Sequence, residues 1–199
     1  MRVVVSCLLF VTGLMLMFTT GCSSDMPTSQ ISQMQLTRDQ EHVLDLISNS
    51  RQEVYLFEFN TLEPFSEIGV RLEVYEYGQL VDTGLGFAMV GMDVATEGNI
   101  AVTISQNMPN TFNWTVSLHE GGSSASSSAT TYALEGMLGR SHGAMNEAVP
   151  IYSGADVVLY VSRFTNTGVL SSRGNFQDYL DPENFAGYPL VYVLVASFS

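Results

Sequence analysis

An antiparallel β-sandwich of Ig-like or jelly-roll-like type, with one short N-terminal helix, is the fold that this 199-residue sequence predicts. Beyond residue 51, apolar side chains recur at every second position in run after run, the period of strands. Gly-, Asn- and Pro-bearing turns join these runs at hairpin spacing. Helical periodicity is confined to a short stretch, so the alternating βα pattern of a parallel sheet is missing from the sequence.

The helix comes first. Thr37 and Gln40 have capping-box spacing, and Val43, Leu44, Leu46 and Ile47 fall on one face at helical period, which predicts a helix over 38–49. Strands follow over 53–59, 69–77 and 80–90. The clearest pair is Ile100, Val102 and Ile104, then Phe112, Trp114, Val116 and Leu118, each alternating with polar residues. Asn107-Met108-Pro109-Asn110 between them is turn chemistry, so the two form a hairpin. Further strands are expected over 130–137, 155–164 and 189–198. The last is apolar on both faces, with Leu190, Tyr192 and Leu194 on one and Val191, Val193 and Val195 on the other, and so belongs inside a sheet. Two insertions are expected between strands: a flexible Ser- and Gly-rich loop over 121–129, and an aromatic, acidic segment over 171–188. In the second, Asp181-Pro182 reads as a helix start.

Residues 1–24, MRVVVSCLLFVTGLMLMFTTGCSS, carry one positive charge at Arg2, an apolar run from Val3 to Phe18, and then small residues. That order is the three-part architecture of a secretory signal. The ending Thr19-Thr20-Gly21-Cys22 resembles the lipobox of bacterial lipoproteins, with Thr19 where Leu is usual. The resemblance implies a signal peptide over 1–21, cleavage before Cys22, and acylation of its sulfur, so that lipid holds the chain on the extracytoplasmic face of a cell membrane. An uncleaved anchor is the alternative, but the apolar run is at the short limit of the ~17–25 residues that span a bilayer. A polar tether over 22–36 and a single domain over 37–199 would follow, the latter long enough to bury a core. The order of helix, strands, aromatic connector and final YPLVYVLVASFS is similar to that of small envelope lipoproteins of Gram-positive bacteria, mostly without assigned activity. That likeness implies a β-sandwich and no chemistry.

Seven arginines and no lysine face 20 acids, a formal charge of −13 that loss of Arg2 takes one unit further. Such a surface repels phosphate backbones and anionic headgroups, so nucleic acid is excluded as a partner and the acyl anchor alone must hold the membrane. Cys7 lies in the signal, which leaves Cys22 as the sole cysteine of the processed chain and rules out an internal disulfide or cysteine-ligated zinc.

Gly139-Arg140-Ser141-His142-Gly143 matches the G-x-S-x-G nucleophile elbow letter for letter, but neither a helical face after it nor a βα pattern around it supports that reading. His42, His119 and His142 are not at metal-ligand spacing. Asp93, Glu97 and Asn99, and separately Asp178, Asp181 and Glu183, are oxygen-rich but match no calcium loop, and solvated turns explain them as well. Tyr55, Phe57 and Phe59 share one side of their strand, as do Tyr75 and Tyr77. Core packing is the usual fate of such sides, and a wet one would be a recognition patch, with Tyr75 and Tyr77 the candidate binding residues.

The function expected is that of a non-catalytic interaction or structural module, anchored through acylated Cys22, whose partner is an envelope or extracellular protein or glycan. No cofactor and no metal is expected. A small-ligand or metal-binding lipoprotein serving a transporter is one alternative, and an envelope hydrolase using Ser141 is another.

Overall fold

The structure is a computed structural model and describes residues 28–48, 51–92, 95–168 and 175–199. Eleven strands occur in the described residues: β1 (Gln30–Gln33), β2 (Gln52–Asn60), β3 (Phe65–Glu76), β4 (Gln79–Met92), β5 (Glu97–Met108), β6 (Thr111–Glu120), β7 (Ser123–Tyr132), β8 (Gly139–Ala144), β9 (Val149–Pro150), β10 (Ala155–Thr165) and β11 (Leu190–Phe198). Helix α1 (Arg38–Ile47) lies between β1 and β2, and two 3-10 turns (Phe176–Leu180 and Pro182–Phe185) precede β11. The strands form two antiparallel sheets, in the orders β7-β6-β5-β2-β1-β9 and β4-β3-β11-β10-β8. This is the predicted β-sandwich.

Trp114 lies at the centre of the core, fully buried, with Phe112, Val116 and Leu118 on the same side of β6. Its ring meets Tyr160 and Tyr192 of the opposite sheet edge-on at 5.6 and 5.7 Å. Its indole Nε1–H donates to Thr131 Oγ1 at 2.8 Å, so the one polar atom of the ring is satisfied inside the core. The β5–β6 hairpin closes where predicted, with Asn110 at φ 61.

β11 is central in its sheet, between β3 and β10. Leu190, Tyr192, Leu194, Ala196 and Phe198 face the other sheet. Val191, Val193 and Val195 face away and form a second core with Tyr75, Val158 and Val161, roofed by Tyr179 and Phe185 from the 3-10 turns. Asp181 caps the second turn by accepting from Glu183 N–H, with Pro182 at its first position, as its sequence implies.

Three segments differ from their sequence reading. The expected loop over 121–129 is instead the two-residue turn Gly121-Gly122 followed by β7, which pairs with β6 along its full length. Both glycines have positive φ (52 and 91), the backbone of a hairpin turn that matches strand twist. Serine's low strand propensity concealed β7, because pairing and a partner strand decide its conformation. The G-x-S-x-G segment, which in a nucleophile elbow would be a strand-to-helix turn, is the edge strand β8. Within the expected tether, residues 30–33 form β1, held by the fully buried Ile31 and by pairing to β2 and β9. Helix α1 begins at the predicted capping box, but Val43 and Leu46 on its apolar face are exposed.

Trp114→Ala is expected to lower stability by about 3–5 kcal/mol, the usual cost of emptying a core position of this size. Thermal unfolding followed by circular dichroism measures it. An unshifted melting curve would mean that the ring is not central to the core.

Candidate functional site

The densest set of interacting ionisable groups lies between the sheets and is centred on Glu53, near the start of β2. Arg140 of β8 donates from Nη1 to Glu53 Oε1 at 2.7 Å and from Nη2 to Oε2 at 3.3 Å. Tyr160 of β10 donates its hydroxyl to Oε2 at 3.0 Å, and Tyr55 donates to the same oxygen at 3.4 Å. His142 Nε2 lies 3.5 Å from Oε1. The Arg140 guanidinium also donates to the hydroxyls of Ser162 and Tyr160 and stands over the Phe112 ring at 4.7 Å. Burial and Glu53 push the Tyr55 phenol up to about 12, and burial raises that of Tyr160 too. Burial, with Arg140 adding to it, holds His142 below the ordinary histidine range despite Glu53.

This set exists because β10 carries a bulge. The pairing register shifts between Val158 and Tyr160, so Leu159 and Tyr160 both join the main core. From there the alternation is inverted: Ser162 and Phe164 face inward, and Arg163 faces out to stack against Tyr179 and Tyr188 at 5.5 and 5.3 Å. Without that shift Leu159 would pair with Leu194 in place of Tyr160, and the phenol would face away from Glu53.

Chemically the set is a clamp. The Glu53 carboxylate already accepts from three side chains, which leaves it poorly placed to take a proton from a substrate. Ser141 has no base. It lies on the face of β8 opposite Arg140 and His142, and its hydroxyl accepts from Arg163 Nη2 at 3.3 Å. A serine nucleophile needs a base within hydrogen-bond reach, and the neighbouring histidine points through the strand the other way.

The outer face of the six-stranded sheet has a different character. Ser124, His119, Asn99, Glu58 and Ser32 stand directly opposite one another on five adjacent strands, from β7 to β1. One step along, Glu97, Asn60 and Gln30 form a second row. A cleft of about 490 Å³ runs between β1, β2 and β5 over these rows, and one of about 290 Å³ continues past His119 to Ser124. Glu97, Gly98 and Asn99 line both, so they form one groove. The end of the β2–β5 pair beside it is tied: Thr61 N–H donates to Thr96 O and Thr96 N–H to Thr61 Oγ1, both at 2.8 Å. Gly98 lets β5 lie on the Phe59 ring, where a Cβ would come within 2.2 Å of it. Neither Glu58 nor Glu97 forms an ion pair with a described residue; those of Arg71 and Arg140 go to Glu73, Asp156 and Glu53.

The residues singled out from sequence are scattered. Cys22 and Asp93 lie outside the described residues. Tyr75 is buried against Phe185 and donates to Glu73, while Tyr77 is exposed at φ 49 in the β3–β4 turn, so the two share no open face. Glu97, Asn99 and His119 do come together in the groove, beside Glu58 of β2. Among the described residues no three His, Cys, Asp or Glu side chains are poised to hold a metal. Sequence reasoning missed Glu53, Arg140, Glu58, Asn60 and Gln30. Glu58 points outward on a strand that was identified over 53–59, a legible signal, and Asn60 lies one residue beyond it at the end of β2.

Glu53→Gln is expected to cost about 2 kcal/mol, because Arg140 is left between the sheets without its counter-charge. Combining it with Arg140→Met should recover part of that loss. Urea unfolding of both variants measures the coupling; a wild-type midpoint for Glu53→Gln would mean that solvent screens the pair.

No curated protein and no solved structure matches the sequence. Residues 30–198, from the first strand to the last, match the YgaN domain. The chain therefore belongs to the YgaN domain family.

Proposed function

We propose that the chain is an extracytoplasmic lipoprotein, cleaved before Cys22 and acylated there, whose β-sandwich is a non-catalytic binding module. The observation that carries the binding role is the groove on the outer face of the six-stranded sheet, built on paired strands and lined by three carboxylates, Glu58, Glu97 and Glu120, without a cationic partner among the described residues. The tight inward clamp of Glu53 and the separation of Ser141 from His142 support a non-catalytic reading. The clefts are polar, which fits a hydroxylated or charged partner better than an apolar small ligand handed to a transporter.

The anchor suits this role. Eight chain steps lead from Cys22 to Gln30, and an extended chain covers at most about 3.5 Å per residue, so Gln30, at the β1 end of the groove, would stay within about 30 Å of the lipid surface. The module would then work in the layer next to the membrane.

Cys22→Ala is expected to remove the chain from the membrane fraction, or to leave it unprocessed, and mass spectrometry of the membrane-extracted protein should find a lipid on Cys22. Ser141→Ala should change neither location nor binding, and a fluorophosphonate probe should not label the purified protein. An unmodified Cys22 in membrane-extracted protein would overturn the anchor. Stoichiometric labelling that disappears with Ser141→Ala would overturn the non-catalytic reading.

A further inference from the structure

We infer that the groove over β1, β2, β5, β6 and β7 binds an extended oligosaccharide that carries free amino groups. This rests on the reading of the chain as a binding module and adds the class of its ligand.

The argument begins with charge. At −13, and without a lysine, the protein repels phosphorylated, sulfated or uronic-acid polymers before they reach its surface. Within the groove, Glu58 and Glu97 stand diagonally across β2 and β5 with no ion pair to a described residue. A ligand that brings ammonium groups would supply the missing partners through charge-assisted hydrogen bonds.

Shape and hydrogen-bonding capacity narrow the class. Strands repeat every ~4.8 Å across a sheet, so the five-strand row from Ser124 to Ser32 spans about 19 Å, the length of roughly four linked sugar rings. Gln30, Asn60 and Asn99 each offer donors and an acceptor on one planar group, the pairing that neighbouring hydroxyls require. A basic peptide would bring the same positive charge but would bind best by adding a strand at a sheet edge. Most of the groove lies over β1, β2, β5 and β6, each hydrogen-bonded on both sides, and only its end at Ser123 and Ser124 reaches the edge strand β7. A sugar chain needs no edge, since its hydroxyls and amines meet side chains. The groove residues include no exposed aromatic side chain, so attraction rests on hydrogen bonds and charge, and binding should weaken as salt rises.

The test uses the full-length protein in non-ionic detergent, titrated with three probes: a glucosamine hexamer, the N-acetylglucosamine hexamer and hexalysine. The glucosamine hexamer should bind saturably and shift the side-chain amide resonances of Asn60 and Asn99. Glu58→Gln combined with Glu97→Gln should weaken it about tenfold, as expected for lost charge-assisted bonds, with an unchanged melting temperature. No binding of the glucosamine hexamer, equal binding by the double variant, or equally tight binding of hexalysine at the same residues would each overturn the inference. Any of these with Cys22-dependent membrane retention intact would sink the ligand class alone, while loss of that retention with sugar binding preserved would sink the anchor alone.

Discussion

Strand β11 is apolar on both faces, and most of the architecture answers that constraint. A strand with leucine and aromatic side chains on one side and three valines on the other cannot expose either side to water at small cost; each fully buried valine or leucine is worth about 1.5–3 kcal/mol. It is satisfied by lying between β3 and β10, under the six-stranded sheet on one side and under Tyr179 and Phe185 on the other. The sandwich is therefore three layers deep at this strand. The aromatic segment before β11 is a roof, pinned where the Gln177 carboxamide pairs with both main-chain groups of Val158 at 3.0 and 3.2 Å.

That pin falls at the bulge of β10, which also sets the polar clamp. One extra residue places Tyr160 and Ser162 inside and turns Arg163 out, so the same irregularity serves both layers. Inside, Arg140 meets Glu53 across the sheets, together with two phenols. Outside, Arg163 lies between two tyrosines of the roof. Buried charges are tolerated here because each is paired or stacked, and removing one partner is costlier than never having had either.

The two faces of the six-stranded sheet divide the work. Its inner face carries the packing; its outer face is a regular array of small polar groups that ends in the groove. Cross-strand neighbours are locked by register, so the spacing of Ser124, His119, Asn99, Glu58 and Ser32 is a property of the sheet and survives side-chain motion.

Much of this was determined by local chemistry. The inward side of β6, the central position of β11, the capping box of α1 and the Asp181 cap follow from alternation and capping, because those interactions reach only a few residues. The Gly121-Gly122 turn was also there to be read, although the serines after it spoke against a strand. Tertiary structure alone decided the rest. Alternation cannot reveal a bulge, since one inserted residue inverts every later side chain, and so Tyr160 faces in and Arg163 faces out without any change in composition. Nor can spacing along the chain place Glu53 beside Arg140, or Glu58 beside Asn99 and Ser32, because these contacts are made across sheets and between strands far apart in sequence. The strands of the core belong to the sequence by itself; which polar groups face one another was settled only by register and packing, through which distant segments come into contact.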